Sequence, residues 1–310
     1  MLALYVSEGK CLLKLKHPQI SNIKIQLMFR HWRNIRNELN LYHRFQRPHA
    51  IMEVKMKKYI ITAQTALRGK TNGGIIYMFP QIITKVIYLV PLMFLWRIIT
   101  AGGVDAGMTL PQLLTYTYVN ALLANMLIID TFINDWDSAG KCAVLFTRPM
   151  SVYGQVISRT AGEWIPTLLM FSLPMAAVAP LFGIQIIPQT IWFIPSLLLC
   201  ASLGFAFEFL FFCMTLRIRH VVWLMWVIRS AVGSFFSGTV IPFRILPFGM
   251  DKWMAFQPFG SLGGAPLSLF VGTAEPITII PAQIFWNIVI WSVTIAWFNK
   301  SRERMVSFGG

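Results

Sequence analysis

The stretch TIWFIPSLLLCASLGFAFEFLFFC, residues 190–213, decides the fold, because its 24 residues carry a single charged side chain, Glu208. A helix needs about 20 mostly apolar residues to cross the hydrocarbon core of a membrane. In the whole chain, 56% of the 310 residues are apolar, 13% are charged and the mean hydropathy is positive. This composition indicates a membrane protein rather than a soluble globular fold.

Five further windows meet or approach the same length and apolarity. The predicted spans are approximately 75–96, 110–130, 164–182, 190–213, 221–241 and 277–298. Several of them contain proline, which spanning helices tolerate because neighbouring helices can satisfy the freed carbonyl groups. The predicted fold class is therefore an all-α membrane protein with six transmembrane helices, which together form a membrane domain over residues 75–304 before a short tail, 305–310.

The basic residues fall mainly on one side of these spans. With the N-terminus in the cytoplasm, 22 of the 27 lysines and arginines lie inside, and the outer side holds Arg97, Arg244 and Lys252. Cytoplasmic loops of membrane proteins carry such an excess. Both termini are therefore predicted to be cytoplasmic. The net charge of +15 follows from this topology and indicates no nucleic-acid partner.

No catalytic, metal or cofactor site is predicted on this chain. The four cysteines have no CxxC spacing, and no spacing typical of a metal site or of a Ser nucleophile occurs. The tripeptide Gly69-Lys70-Thr71 resembles the end of a nucleotide-binding P-loop. A P-loop also requires a glycine five residues earlier, and that position is Gln64. We therefore expect no ATP site here.

The first 51 residues carry nine basic and two acidic side chains, and no predicted span. They are either a basic arm lying on anionic lipid or a consequence of a translation start placed too far upstream, with Met52 and Met56 as the alternative starts. No cleaved signal peptide is expected. Residues 52–74 alternate apolar and basic positions as a helix in the membrane interface does. Gly69, Gly73 and Gly74 are predicted to form the bend before the first span.

Three charged residues lie deep within the predicted spans: Lys85, Glu208 and Arg229. Glu208 and Arg229 lie at similar distances from the short turn that joins two consecutive spans, so an ion pair across this hairpin is predicted. Such residues face protein or water and often mark a transport path. Structural pairing is the alternative role for all three residues.

Two connecting segments are too distinctive to be simple loops. The inner segment 134–160 is predicted to form a short helix and a turn that project into the cytoplasm, with Asp137 and Lys141 four apart on one face and Pro149 ending the run. The outer segment 242–276 is apolar and rich in proline. We expect short helices that dip partway into the outer leaflet, since irregular backbone at membrane depth must be covered by protein.

The order of these features resembles the membrane subunits of type-2 ATP-binding-cassette exporters over residues 56–304. In their six-span branch an LxRP-like stretch follows the second span, as LFTRP does at 145–149. A run of small residues and proline follows the fifth span, as SGTVIP does at 237–242, which contains Gly238 and Pro242. A Pro-Phe pair comes next, here Pro258 and Phe259. The basic first fifty residues are a departure from the family pattern.

The resemblance implies a dimer of two permeases, identical or sister subunits, that forms the substrate pathway in the cytoplasmic membrane of a bacterium. It implies that two separate ATPase subunits bind ATP and Mg and dock from the cytoplasm. Their motion is implied to reach the spans through a coupling segment that contains Asp135, Trp136, Asp137, Lys141, Arg148 and Pro149. A channel or secondary carrier that needs no ATPase is the competing hypothesis, and the substrate is not predicted.

Overall fold

The computed structural model describes residues 48–72, 74–103, 107–133, 143–215 and 222–307, and every regular element in these ranges is a helix. The prediction of an all-α fold is confirmed for them. The chain divides into two compact units, Met1–Lys58 and Tyr59–Gly310. Of the first unit, the structure describes residues 48–58, which belong to helix α1 (Pro48–Thr71).

The described residues of the second unit form ten further helices. They are α2 (Gly74–Ala101), α3 (Leu110–Leu127), α4 (Ala143–Thr147), α5 (Val152–Thr167), α6 (Leu173–Val178), α7 (Phe193–Thr215), α8 (Val222–Phe236), α9 (Met250–Phe256), α10 (Gly264–Phe270) and α11 (Pro276–Ser307). A π-helical turn, Leu168–Ser172, joins α5 to α6, and a 3₁₀ turn, Ala179–Phe182, ends that run. A second 3₁₀ turn covers Phe243–Ile245.

Four helical segments are long and apolar enough to cross a membrane. They are Phe79–Ala101, Val152–Phe182, Phe193–Thr215 and Pro276–Ser301. They correspond to the first, third, fourth and sixth of the predicted spans. A chain with four such segments is a multi-pass membrane protein.

The second and fifth predicted spans form helices of a different kind. Helix α3 has 18 residues and is interrupted by amide, hydroxyl and phenol side chains, and most of its central residues are buried. Helix α8 has 15 residues, and its apolar part, Trp223–Phe236, is too short to cross a bilayer unaided. The apolar windows 110–130 and 221–241 were therefore longer than the helices that they form.

The third long segment begins earlier than the sequence indicates. Residues 152–160, predicted as part of the inner loop, belong to α5, which starts directly after Ser151. The Ser151 hydroxyl accepts a hydrogen bond from the Gly154 backbone N–H at 3.1 Å and caps the helix. This cap, together with Pro149 just before it, fixes the start twelve residues ahead of the predicted span.

Helix α1 ends at Thr71, whose hydroxyl donates to the Leu67 carbonyl oxygen at 3.0 Å. Gly69 therefore lies within the helix rather than in a bend, and α2 already begins at Gly74. In the second unit, α1 lies against α5. The two helices are so close that a Cβ at Gly162 of α5 would overlap the carbonyl oxygen of Ala63 of α1. A glycine at this position lets the two backbones touch.

Helix α7 is the centre of the packing. Just over half of its apolar window, 56%, is buried, against 11% for α2. Helix α11 lies along α7 and presents a row of polar side chains to its carbonyl groups. Gln283, Asn287 and Thr294 donate to the carbonyl oxygens of residues 196, 199 and 206 at 3.2, 3.1 and 3.1 Å. Such hydrogen bonds between helices stabilise packing where no water competes.

Candidate functional site

The predicted ion pair between Glu208 and Arg229 is present. Glu208 on α7 is fully buried, and its Oε2 pairs with Nη1 of Arg229 on α8. The two helices are consecutive and in contact, so the hairpin brings the two side chains together. A buried carboxylate is tolerated in such surroundings because an opposite charge lies against it.

Asp130 is a second acid on the same guanidinium. Nη2 of Arg229 donates to Asp130 Oδ1 at 2.8 Å, and Nη1 lies 3.3 Å from the carbonyl oxygen of Ile129. The exposed fraction of the side chain rises from 0% at Glu208 to 12% at Arg229 and 59% at Asp130. The charges therefore form a line from the core to the surface, with Arg229 in the middle.

Thr131 holds the other oxygen of the buried carboxylate. Its backbone N–H and its hydroxyl donate to Oε1 of Glu208 at 3.2 and 3.0 Å. These donors are free to do so because α3 ends at Leu127 and the backbone after it is extended. The end of α3 is therefore bound to the α7–α8 hairpin by both an ion pair and backbone hydrogen bonds.

A cavity of about 50 Å³ adjoins the ion pair. Glu208 and Arg229 line one part of it, and Ser237 and Phe259 of the outer segment line another. The Phe259 ring stacks on Phe207 of α7, with ring centroids 4.5 Å apart. A cavity of this size holds one or two water molecules and no larger solute. The residues around the cavity therefore join α7, α8 and the outer segment.

Lys85 lies apart from this cluster. Its Nζ is 3.4 Å from Asn125 Oδ1 on α3 and 4.9 Å from the centroid of the Phe171 ring in the π-helical turn. A lysine ammonium is attracted to an amide oxygen and to the face of an aromatic ring. Lys85 therefore links α2 to α3 and to the π-helical turn, and the structure does not bring it together with Glu208 and Arg229.

The outer-segment motif at 237–242 forms a turn that is bound to α3. The Tyr116 hydroxyl donates to the Gly238 carbonyl oxygen at 2.6 Å, and the Asn120 amide donates to the Thr239 carbonyl oxygen at 2.9 Å. Gly238 has φ +75°, and a Cβ there would lie 2.8 Å from the Phe243 ring. Glycine is needed at this position for both reasons.

The other residues predicted for the outer segment take part in the same packing. Pro242, the last residue of the motif, is buried, and Pro258 and Phe259 are half-buried at the start of the turn that leads into α10. The Gly264 N–H donates to the Ser237 carbonyl oxygen at 2.6 Å. The segment thus consists of short helices and turns that pack on α3 and α7.

The predicted coupling segment is described in part. Asp135, Trp136, Asp137 and Lys141 lie outside the described residues. Arg148 follows the short α4 and is exposed, as is Pro149. The buried Gln155 side chain donates to the Leu145 and Met150 carbonyl oxygens at 2.8 and 3.2 Å and so fixes this turn on α5.

Sequence reasoning missed the partners of the predicted residues. Asp130 is the one charged residue in the predicted span 110–130. Its negative charge could pair with a basic residue in another predicted span, and this was the available signal for the contact. Tyr116 and Asn120 stand four apart, which places them on one helical face. Nothing in the sequence indicated that this face meets the motif at 237–242.

Within the described part of the chain, no three His, Cys, Asp or Glu side chains come close enough together to hold a metal ion. No known protein-family model and no curated protein sequence matches this chain. Its class is therefore defined by the structure itself: a multi-pass membrane protein, helical throughout its described residues, in which a line of charges runs from the core to the surface.

Proposed function

We propose that this chain is the permease subunit of an ATP-binding-cassette export system and forms the substrate pathway as a dimer with an identical or sister permease. Two separate ATPase subunits bind ATP and Mg and dock at the loop 134–160. The proposal is supported by the order of the sequence motifs at 145–149, 237–242 and 258–259. The strongest support comes from the contacts that hold α3 in place.

Helix α3 makes two sets of contacts at different positions along the chain, and each set binds a different part of the molecule. Tyr116 and Asn120 bind the outer-segment turn, and Asp130 binds Arg229 beyond the helix C-terminus. The helical part of the distance between them, from residue 116 to the end of α3 at residue 127, is a rise of roughly 16 Å. Helix α3 ends at Leu127, and residues 128–133 join it to the loop 134–160. In the proposal, the connection of α3 to both Arg229 and the outer segment passes a displacement of that loop across the molecule. This connection is the observation that carries the proposal.

The exposed turn at Arg148 is suited to contact a partner protein. It projects from α4 and is held by the buried Gln155, so a force on the turn is passed to α5, one of the long apolar segments. In the proposal, Asp135, Trp136, Asp137, Lys141, Arg148 and Pro149 form the docking surface for the ATPase.

In the proposed topology α3 and α8 are the second and fifth of six spans. Helix α3 lies among other helices, so its polar face needs no lipid-compatible surface. Helix α8 is extended by the turn at 237–242, and the segment 242–276 is partly re-entrant from the outside. The charge distribution favours cytoplasmic termini, and the resemblance favours the cytoplasmic membrane of a bacterium.

Affinity purification from the native membrane tests the docking surface. Three tagged proteins are compared in mild detergent: the wild type, Arg148→Glu and, as a matched charge reversal on the proposed outer side, Arg97→Glu. The wild type and Arg97→Glu should retain an ATPase with a complete P-loop in stoichiometric amount. Arg148→Glu should retain about tenfold less, because a contact with a charged group is replaced by repulsion.

Equal retention by Arg148→Glu would remove the coupling role of this turn. A wild-type chain that purifies alone as a stable oligomer would favour the competing function, a channel or secondary carrier that needs no ATPase. That function would also be supported by solute transport in vesicles that contain only this chain.

A further inference from the structure

A second cavity lies where α11 begins, at the Pro276 end of the apolar segment Pro276–Ser301. Its volume is about 400 Å³, which is in the range of small-molecule sites. Its walls are the 3₁₀ turn at 243–245, α9, α10 and residues 273–279. The ion pair and the proposed coupling segment do not take part in it.

Four charged side chains line this cavity: Arg244, Asp251, Lys252 and Glu275. No two of these four form an ion pair with each other. Nη2 of Arg244 donates to the Thr273 carbonyl oxygen at 3.0 Å, which orients the guanidinium. Two cations and two carboxylates therefore face one space without neutralising one another by direct contact.

The two glycines that line the cavity are closely packed against neighbouring residues. A Cβ at Gly264 would lie 2.6 Å from the Phe243 ring, and one at Gly260 would overlap the Met254 carbonyl oxygen. Ser268 and Thr278 add hydroxyl groups to the lining. The cavity is thus formed by a tightly packed segment rather than by a loose surface fold.

Exposed aromatic residues lie in the same segment as the cavity lining, between residues 243 and 255. The Phe248 side chain is 98% exposed and Trp253 is 80% exposed, although both are large and apolar. Phe248 also has φ +62°, a conformation that non-glycine residues rarely adopt. Aromatic residues are enriched at the level of the lipid headgroups. Together with the start of a long apolar segment at Pro276, they indicate that the cavity opens at this level.

We propose that this cavity binds the headgroup of a membrane lipid that carries a phosphate and a primary ammonium, as phosphatidylethanolamine does. The phosphate contacts Arg244 and Lys252, and the ammonium donates hydrogen bonds to Asp251 and Glu275. The acyl chains lie beside Phe248 and Trp253. The charges of the cavity sum to zero, which matches a zwitterion. An anionic headgroup leaves the carboxylates unpaired, and a choline group cannot donate hydrogen bonds to them.

Native mass spectrometry of the delipidated full-length chain tests this assignment. The protein is titrated with lipids of equal acyl chains and ethanolamine, choline or glycerol headgroups. The ethanolamine lipid should bind about tenfold more tightly than either of the others, as expected for a charge-assisted hydrogen bond. The double variant Asp251→Asn/Glu275→Gln should lose this preference. The control Glu163→Gln, which removes a carboxylate paired with Arg159 on α5, should keep it.

Equal binding of the three lipids to the wild-type protein would overturn the proposal, and so would an unchanged preference in the double variant. The lipid preference of the wild-type protein is itself a test. The proposal can therefore still be overturned if the double variant does not fold. Soluble glycerophosphoethanolamine, which keeps the phosphodiester and the ammonium of the headgroup, distinguishes the source of the ligand. If it displaces the lipid at equal concentration, the cavity recognises a free zwitterion and the lipid assignment is wrong. None of these outcomes depends on an ATPase partner.

Discussion

At the scale of single residues, Arg229 is the side chain on which the buried charges depend. Its planar guanidinium reaches the buried Glu208, the exposed Asp130 and the Ile129 carbonyl oxygen at once. A lysine ammonium has no fork of donors that could span the same three oxygens. Glu208 has no exposed surface, so its charge depends on its protein partners rather than on bulk solvent for compensation.

Replacement of Arg229 by methionine should therefore destabilise the protein by about 3–5 kcal/mol, the cost of leaving a buried charge without its partner. The double variant Glu208→Gln/Arg229→Met should recover a large part of this loss, because the charge itself is then absent. Chemical denaturation of the purified protein in detergent measures both values. If the single variant is as stable as the wild type, Arg229 does not compensate the buried carboxylate.

The sequence predicted half of this cluster. Glu208 and Arg229 lie at similar distances from one short turn, so helical geometry alone brings them to the same depth. The charge of Asp130 was a signal that a partner existed, but the sequence does not show that Asp130 and Thr131 reach this ion pair. Their position depends on where α3 ends and on how the backbone turns after Leu127, and both are set by contacts between elements that are distant in sequence.

At the scale of elements, the contact between α1 and α5 depends on the absence of a side chain. Gly162 of α5 lies directly against the backbone of Ala63, and a Cβ would overlap its carbonyl oxygen. The backbone of a helix moves only as a unit, so the neighbour cannot yield as a flexible side chain would. Tyr59 and Ser151 add a polar contact between the same regions at 3.4 Å.

The substitution Gly162→Ala should destabilise the protein by about 1–3 kcal/mol through overpacking and should increase amide hydrogen exchange in residues 59–71. Gly233→Ala is the matched control, since Gly233 lies in α8 and a Cβ there meets no atom within 4 Å. That control should be neutral or stabilise by about 0.5–1 kcal/mol. Equal effects of the two variants would show that α1 does not lie against Gly162.

The elements themselves were predicted unevenly. Long apolar runs identified α2, α7 and α11, because length and apolarity are what a membrane requires of a helix exposed to lipid. The same criterion overestimated α3 and α8, whose ends depend on protein contacts. It also missed the first turns of α5, where Ser151 caps a helix before the apolar residues begin.

At the scale of the whole molecule, the proposed function separates the site of ATP use from the transport pathway. The Gly69-Lys70-Thr71 sequence lies at the end of α1, and the Thr71 hydroxyl is bonded to the helix backbone rather than held in a phosphate-binding loop. In the proposed function ATP binds to a partner chain, and α3 passes the resulting motion to the outer segment.

Photolabelling of the purified assembly with an azido analogue of ATP tests this central claim most directly. The assembly is isolated from the native membrane through a tag on this chain, illuminated with the analogue and Mg²⁺, and separated into its subunits. The label should appear on a co-purified ATPase and be lost when unlabelled ATP is in excess, whereas this chain should stay unlabelled. Specific labelling of this chain, or isolation of a chain that has no ATPase partner, would contradict the proposed function.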